Sequence, residues 1–561
     1  MSDVSPRTRR IAWAVLGVAM AISATWLMVA ARNTSFMGDD VYYYARYIAH
    51  GYTPEISGGA EFFLAPHNSH FQLGGKLLYR LLFDVFGAKY WVFRAADVVG
   101  VLAAVGLFFV LVSRRIGPVL ALAPSILLLF LGYAWEPLIW AFDMHTVFAL
   151  VFGLAAVLAL ERGDRRGDVL ACTLLVLSIS MIELGLAFAV GVAVSVLLRP
   201  DRARRAWIFL IPLLLYAIWW IWARKFHQPG VTLLNIHLIP IDLTNALAAI
   251  TGSVFGLNPT GVGVAPQVTT ITASGTFLAG LAVVGLALRI HRGKVPSTLW
   301  IFLAVAIVYW LTIALGGRPP DSSRYIFAGT VMVLLVAADA VAERRFSGLA
   351  IAGAFVVVAL AIPPNIAKFY DGRRIQLNDA EASRTEYAML ELAGRNRVEP
   401  DYTPGSDPAV TALGGGVYTP LPAGDYFHAA DDFGPLSYSL DRIREEPLLF
   451  RIVADATLVD ALRLGLHSSA AAPDPSRCLD VTDAKPEDPA YFPLPAAGVL
   501  IGSKSQSPVE VKVSRFAKDS GGFGIGQLEP GAWSTLKAPP DAAPDPWRVL
   551  VGGPVYVCRR G

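Results

Sequence analysis

The sequence predicts a mainly α-helical, polytopic membrane bundle of about 11 spans, followed by an extracytoplasmic, mostly β domain. Apolar residues make up 55% of the chain and charged residues 16%, and the mean hydropathy is +0.51. Apolar stretches of spanning length recur up to residue 363, and from residue 366 the chain becomes rich in Pro, Gly, Asp and Ser. The formal net charge of +3 gives no reason to expect a nucleic-acid partner.

The first span follows a basic N-terminus. Arg7, Arg9 and Arg10 precede an apolar run from Ile11 to Ala31. A run of about 20 residues suits a transmembrane helix and is long for the apolar part of a signal peptide, so we expect an uncleaved anchor. A cleaved signal peptide is the alternative.

Further apolar segments lie at 95–113, 116–133, 144–160, 169–198, 206–223, 273–290, 298–315, 325–342 and 346–363. The segment 169–198 has the length of one long helix or of a hairpin of two short ones. Arg-rich sequence flanks it on both sides, at 161–166 and 199–205, and the positive-inside rule places both flanks in the cytoplasm. We therefore expect a hairpin with its tip near Ile182-Glu183-Leu184-Gly185.

The same rule orients the whole chain. With the hairpin, the N-terminus is cytoplasmic, the C-terminus is extracytoplasmic, and the basic turns at 114–115, 289–294 and 344–345 face the cytoplasm. The outer loops are then 32–94, 134–143, 224–272 and 316–324. We predict a multi-pass protein of the inner (plasma) membrane with a transmembrane domain over 1–365 and an extracytoplasmic domain over 366–561.

The C-terminal domain shows a short helical pattern near 379–395 and alternating runs typical of strands, such as Val509–Val513 and Val549–Val551. Cys172 lies inside a predicted span, while Cys478 and Cys558 both lie in this domain. An oxidising compartment favours a disulfide between Cys478 and Cys558. Two unrelated thiols are the alternative.

Several polar groups share the predicted outer side. Gly38 is followed by the paired carboxylates Asp39 and Asp40, just after the first span, where acid–base or electrostatic chemistry on a membrane-borne substrate is the expected use. His70 lies in the same loop as a candidate substrate-binding residue, whereas a wet interfacial role is favoured for His67. At the start of the second span, Arg94 either anchors the helix at the interface or holds a lipid phosphate.

The later outer segments add further candidates. Asp143 and His145 lie in an aromatic loop and are expected to line a substrate pocket; a metal site is the alternative, but two such residues are a weak ligand signal. Glu183 at the hairpin tip should face a wet cavity or a cation, because each arm is shorter than the hydrocarbon core. Arg324, followed by Tyr325, stands where a helix begins, which suits a phosphate site, with an interfacial anchor as the alternative.

This layout resembles the GT-C superfamily of integral-membrane glycosyltransferases, which includes the protein O-mannosyltransferases, the lipid A aminoarabinose transferase and the actinobacterial arabinofuranosyltransferases. The resemblance rests on Gly38-Asp39-Asp40 after the first span, on Ser323-Arg324-Tyr325 before a late span, and on the C-terminal β domain, which in such enzymes is sometimes carbohydrate-binding. The resemblance covers residues 1–365 and consists of the order of the segments together with these short motifs.

The resemblance implies an inverting displacement at the outer face of the membrane, with a polyprenyl-phosphate sugar as donor. Asp39 would be the general base and Asp40 would orient the acceptor or hold the loop, while Arg324 and Arg94 would stabilise the leaving phosphate and His70, Tyr325 and the loop residues would bind substrate. No cofactor or divalent metal is expected. The acceptor is an envelope glycan, a lipid or a protein, and membrane lipid is a further partner.

The sequence leaves two other functional hypotheses open. A transporter or flippase of a lipid-linked sugar would suit an intramembrane Glu183, although the chain shows no inverted repeat. A receptor or assembly factor acting through the C-terminal domain alone would leave Asp39 and Asp40 without a task.

Overall fold

The computed structural model describes residues 5–45, 60–227, 230–260, 271–293, 295–342, 344–405, 421–470 and 473–559. Parts of the predicted loops 32–94 and 224–272, and Lys294 of a predicted basic turn, lie outside the described residues. The chain divides into two compact units: Met1–Arg32 with Arg46–Gln376, and Asn33–Ala45 with Leu377–Gly561. The first of these we call the membrane unit and the second the C-terminal unit.

Helices make up the membrane unit. In chain order they are α1 (Pro6–Ala30), α3 (Ala60–Leu64), α4 (Leu73–Phe86), α5 (Tyr90–Ile116), α6 (Pro118–Leu129), α7 (Trp135–Ile139), α8 (Met144–Leu160), α9 (Arg165–Met181), α10 (Leu184–Leu197), α11 (Arg202–Arg205), α12 (Trp207–Ala223), α13 (Ile239–Phe255), α14 (Ala273–His291), α15 (Ser297–Leu315), α16 (Ser323–Ala340) and α17 (Gly348–Ala393), of which the residues up to Gln376 belong to this unit. The helix α2 (Asp39–Ala45) belongs to the C-terminal unit.

The predicted helical bundle with a C-terminal, mostly β domain is confirmed. Within the described residues, nine helices are long and apolar enough to cross a membrane, or ten if α6 is joined to the bent segment Gly132–Ile139. The predicted hairpin is also present, because α9 ends at Met181, α10 begins at Leu184, and both helices are shorter than a usual span. This number of long apolar helices is typical of a polytopic membrane protein.

One helix differs from the prediction, which treated 224–272 as a loop. The helix α13 lies there and is apolar enough to count as a candidate span. Just before it, the Asn235 amide donates a hydrogen bond to the Leu315 carbonyl (3.0 Å), and just after it the Asn258 carbonyl accepts from the Tyr133 hydroxyl. Leu315 and Tyr133 both lie at the end of the bundle where α16 begins, so α13 starts and finishes at one end.

The last span also differs from the prediction. Instead of ending near residue 363 before a separate segment at 379–395, α17 continues as one helix of 46 residues through Pro363 and Pro364. Proline is tolerated inside membrane helices where neighbouring polar groups occupy the freed backbone. Here the Asn365 side chain lies at that point and donates to the carbonyls of Ser253 and Ala361.

The predicted basic turns meet at the end of the bundle away from the start of α16. Arg115 pairs with Asp339 near the end of α16 and approaches Glu161 at 3.6 Å, while Arg289 donates to the Ala340 carbonyl (2.8 Å). The positive-inside reasoning therefore grouped these turns correctly in space.

The C-terminal unit contains helices and two antiparallel sheets. Its helices are Ala423–Phe433, Leu440–Glu445 and Leu448–Ala461. Its strands are β1 (His467–Ser468), β2 (Leu479–Val481), β3 (Ala490–Pro493), β4 (Val499–Ser503), β5 (Val509–Ser514), β6 (Phe523–Leu528), β7 (Trp533–Leu536), β8 (Arg548–Val551) and β9 (Val555–Arg559).

The strand order is β1-β7-β4-β9-β2 in one sheet and β3-β8-β5-β6 in the other. Alternate residues such as Val499 and Ile501 in β4, or Val511 and Val513 in β5, are buried, as expected for strands with one face in a core. Cys478 and Cys558 form a disulfide that joins the start of β2 to β9 within the first sheet.

Candidate functional site

Four segments of the membrane unit meet at the end of the bundle where α16 begins. We call them the loop cluster, which comprises residues 66–72, 132–143, 182–183 and 316–325. The contacts described next join these segments pairwise. The loop cluster is therefore the place where polar side chains distant in sequence come together.

A buried carboxylate lies at the start of α16. The Glu136 carboxylate, 4% exposed, accepts hydrogen bonds from the Ser323 hydroxyl, from the Arg324 backbone N–H (3.0 Å) and from the Arg324 guanidinium (2.8 Å). It thus occupies first-turn donors of α16 that have no partner inside the helix. Glu136 fixes both the start of the helix and the direction of the Arg324 side chain.

Arg324 is held on one side and open on another. Its guanidinium lies 5.5 Å from the ring centroid of Trp140, and about a third of the side chain is exposed (32%). Within the part of the chain that the structure describes, Nε and Nη1 make no hydrogen bond. A guanidinium positioned in this way presents its remaining donors to a further anion, beside the Glu136 carboxylate that already accepts at the helix N-terminus.

A second network joins the hairpin tip to two other segments. Glu183 accepts from the Phe71 N–H (2.6 Å) and pairs with His70 Nδ1 (2.6 Å), while Arg318 donates to His70 Nε2 and to the Asn68 carbonyl (3.0 Å). Because arginine only donates, Nε2 must accept, and the proton of a neutral His70 lies on Nδ1 toward Glu183. The predicted carboxylate Glu183 is therefore linked to the cation Arg318 through His70.

The two networks are connected through aromatic and amide side chains. The Phe142 ring lies 4.6 Å from the His145 ring and 5.6 Å from the His67 ring, and His145 Nε2 is 3.1 Å from the Gln72 amide nitrogen. Asp143, 3% exposed, lies within electrostatic range of Arg324. The loop cluster therefore contains the predicted His70, Asp143, Glu183, Arg324 and Tyr325, and the predicted His145, at the start of α8, packs against it.

Tyr325 is the last residue of the loop cluster, whereas Arg94 lies outside it in α5. Tyr325 follows Arg324 in α16, and its carbonyl accepts from the Tyr309 hydroxyl at 3.5 Å. Arg94 is 1% exposed; it donates to Asp97 one turn later (2.6 Å) and to the Leu138 carbonyl of α7 (2.7 Å). These contacts tie α7 to α5, so the buried Arg94 is a structural link between the two helices.

Lys76 in α4 is a further buried cation. Its Nζ donates to the carbonyls of Phe62 and Ala65, both at 2.7 Å, and lies 5.0 Å from the Phe62 ring. Burial lowers the pKa of Lys76 to about 7. The side chain therefore holds the end of α3 against α4, with a charge that titrates near neutrality.

Asp39 and Asp40 lie in α2 of the C-terminal unit, which the sequence did not predict. Asp40 is fully buried (0% exposed), and its carboxylate accepts from the Met37 N–H at 3.4 Å, whereas Asp39 is half-buried. Burial raises the pKa of Tyr43, and the neighbouring carboxylates raise it further. The Tyr44 hydroxyl donates to the Gly434 carbonyl (2.8 Å) and so attaches α2 to the helix Ala423–Phe433.

Sequence reasoning assigned no individual role to Glu136, one of three titratable groups in its aromatic loop, and none to Arg318. Both stand in segments that it singled out, but their partners are distant in the chain. A carboxylate in a short apolar loop was the available signal for Glu136. Among the described residues, His, Cys, Asp and Glu side chains form no group of three or more that could hold a metal ion.

No protein-family profile matches the chain, and no curated protein matches it. In three dimensions the chain is similar to ArnT from Cupriavidus metallidurans bound to undecaprenyl phosphate, with 13% identity over 68% of this chain and 81% of that chain and a TM-score of 0.38. It is also similar to the arabinosyltransferase EmbB from Mycobacterium smegmatis, with 15% identity over 99% of this chain and 65% of that chain and a TM-score of 0.34. The apo state of the same ArnT gives 16% identity over 82% and 96% of the two chains and a TM-score of 0.32. These low values assign no residue role to this protein.

Proposed function

We propose that this protein is a GT-C-type glycosyltransferase that transfers a sugar from a polyprenyl phosphate to an envelope acceptor at the outer face of the membrane. The observation that carries the proposal is the Glu136–Arg324 pair at the start of α16. In this pair Glu136 orients the guanidinium, and the Arg324 side chain stays partly exposed at the end of an apolar helical bundle. A lipid phosphate has the charge and geometry to accept from the open donors of the guanidinium, while Glu136 keeps the Arg324 N–H at the helix N-terminus.

The leaving group explains why an oriented arginine is useful. In the displacement, the acceptor oxygen forms a bond to the anomeric carbon while the bond from that carbon to the phosphate oxygen breaks. The electron pair leaves on the phosphate, so negative charge grows there in the transition state. Arg324, with its direction fixed by Glu136, would stabilise that charge without reorganising.

Acceptor deprotonation is assigned to Asp39. A general base must reach its substrate, and Asp39 is half-buried whereas Asp40 is fully buried and accepts from the Met37 N–H. Asp40 then has the supporting role of holding the turn that precedes α2. The proton moves from the acceptor hydroxyl to Asp39 and from there to solvent, and the configuration at the anomeric carbon inverts.

Purified protein incubated with a panel of polyprenyl-phosphate sugars and envelope glycan acceptors tests the proposal. Wild type should release free polyprenyl phosphate, and Asp39→Asn should lower that rate by roughly 10²–10⁴-fold while keeping its melting temperature. Asp84→Asn is the matched control, because Asp84 is an exposed acid of α4 paired only with Arg80 among the described residues.

Each other outcome is informative. If Asp40→Asn abolishes turnover and Asp39→Asn does not, the two roles are exchanged. If wild type turns over no donor but moves lipid-linked sugar across proteoliposomes, the protein is a transporter and the transferase proposal is wrong. Undecaprenyl phosphate, the lipid in the ArnT structure, is the first binding probe.

A further inference from the structure

The two arms of the α9–α10 hairpin meet again at the end of the bundle away from the loop cluster. Asp168, in the first turn of α9, accepts from the guanidinium of Arg205 at the end of α11, at 3.0 Å from Nε, and both side chains are largely buried. This ion pair fixes α11 against the beginning of α9. We call residues 162–170 and 197–205 the hairpin foot.

Positive charge is in excess at the hairpin foot, which contains seven arginines and three aspartates. Within the part of the chain that the structure describes, five of these arginines form no ion pair and donate no side-chain hydrogen bond. They are mostly exposed, and they comprise Arg165, Arg166, Arg199, Arg202 and Arg204. Because like charges repel, such a group is most stable with an anion among its members.

Three other arginines at the same end of the bundle have partners inside the protein. Arg115 pairs with Asp339. Arg114 pairs with Glu161. Arg289 donates to two backbone carbonyls, at 2.8 and 2.9 Å. These contacts join helices to one another, whereas the five arginines of the hairpin foot keep their donors for a ligand outside the chain.

Exposed apolar side chains border the arginines on both arms. Val169 and Leu170 follow the arginines at the start of α9, Leu197 and Leu198 precede those of the other arm, and all four are between 44% and 60% exposed. The two arms have 17 and 14 residues, or about 26 and 21 Å at 1.5 Å per residue. Both are shorter than the hydrocarbon core of about 30 Å, so they do not carry the hairpin foot past the headgroup layer into water.

We propose that the hairpin foot binds an anionic phospholipid with two phosphates, of the cardiolipin class, in the leaflet that the sequence predicts to be cytoplasmic. Arg165 and Arg166 hold one phosphate, and the three arginines of the other arm hold the second. Guanidinium groups bind phosphate through paired, charge-assisted hydrogen bonds, and basic clusters beside membrane helices suit such headgroups. The apolar side chains of each arm contact the acyl chains, which a soluble anion would leave uncovered.

Lipid binding to the full-length protein in a neutral detergent tests the proposal. The probes are cardiolipin, phosphatidylglycerol and phosphatidylcholine, each titrated separately, with bound lipid counted by native mass spectrometry. We expect cardiolipin to bind wild type at least tenfold more tightly than phosphatidylcholine, with phosphatidylglycerol between them. Raising the salt concentration should weaken cardiolipin binding, because the arginines that hold the phosphates are exposed.

The variant Arg165→Gln/Arg166→Gln removes one of the two phosphate contacts. It should weaken cardiolipin binding by about thirtyfold, because each arginine near anionic lipid contributes about 1 kcal/mol and 1.4 kcal/mol is a factor of ten. The matched control is Arg344→Gln/Arg345→Gln, which removes the same charge from two exposed arginines after the end of α16. The control should leave cardiolipin binding unchanged, and melting temperatures confirm that both variants are folded.

A second pair of measurements separates a lipid from a free phosphate. Leu197→Ser/Leu198→Ser should weaken binding of cardiolipin and leave binding of its soluble, deacylated headgroup unchanged, because these exposed leucines contact only the acyl chains. If the deacylated headgroup binds wild type as tightly as cardiolipin does, the ligand is a soluble anion and the proposal is wrong.

Two further results would overturn the proposal. One is equal binding of cardiolipin and phosphatidylcholine by wild type. The other is an equal loss of cardiolipin binding in the two double-arginine variants, which would indicate a diffuse attraction of the whole basic end of the bundle. The experiment contains no sugar donor, so its result does not depend on the transferase proposal.

Discussion

Replacing Glu136 by glutamine tests whether the buried carboxylate orients Arg324. The two oxygens of Glu136 have different tasks: one accepts from the Ser323 hydroxyl and the Arg324 N–H, and the other accepts from the guanidinium at 2.8 Å. Glutamine supplies one oxygen and one NH₂. Whichever way the amide is turned, its NH₂ faces a donor of Arg324, either the backbone N–H or the guanidinium.

The cost follows from that conflict. An orphaned N–H in a buried place costs about 1–3 kcal/mol, and the lost charge adds little because Arg324 is one third exposed. We therefore expect a loss of about 2 kcal/mol in the unfolding free energy. The guanidinium also loses its fixed direction, so affinity for undecaprenyl phosphate should fall by about tenfold, which corresponds to 1.4 kcal/mol.

The assay measures the melting temperature and the Kd for undecaprenyl phosphate on the same nanodisc samples. Asp168→Asn is the matched control, because the buried Asp168 also accepts from an arginine, Arg205, but lies at the opposite end of the bundle. It should lower the melting temperature and leave the Kd unchanged. If Glu136→Gln leaves the Kd at the wild-type value, or if both variants weaken binding equally, Glu136 does not orient a phosphate-binding arginine.

Two further predictions concern stability. Burial lowers the pKa of Lys76 to about 7, against about 10.5 for an unfolded lysine, so between these pH values the unfolded chain binds one proton more than the folded chain. The melting temperature should therefore rise with pH across this window, and Lys76→Met should remove the rise. A slope that is the same in both proteins would contradict this. Cys478→Ser removes a disulfide between residues that are 80 positions apart in the chain, so the C-terminal unit should lose about 2–4 kcal/mol of unfolding free energy in denaturant. The control Cys172→Ser removes a buried free thiol and should keep the disulfide-dependent stability. Equal denaturation midpoints for Cys478→Ser and wild type would refute the expectation.

Local signals predicted the bundle well. The hairpin between α9 and α10 followed from arginine clusters on both flanks, and the break in the structure falls at Ile182 and Glu183, within the predicted tip. Hydropathy and flanking charge are properties of a short stretch of chain, so they can be read without knowing what packs against it. The same signals did not predict the helix α13 within the loop 224–272, although it is apolar enough to be a candidate span.

Pairings between distant residues could not be predicted. Arg324 and Glu136 are 188 residues apart, and Arg318 and His70 are 248 apart. Sequence placed all four on the predicted outer side, but sidedness alone does not choose partners. The order of strands in the two sheets is hidden for the same reason, since alternation indicates a strand and not its neighbour.

The grouping of α2 with the C-terminal unit changes how the acidic pair should be understood. The sequence predicts that Asp39 and Asp40 directly follow the first span, so their position would depend on α1. In the structure, Tyr44 bonds to Gly434 and packs its ring 6.5 Å from that of Tyr426, so the C-terminal unit sets the conformation of the segment that carries the acids. The fold of this unit therefore bears on the proposed base, because it leaves Asp40 buried and Asp39 half-buried.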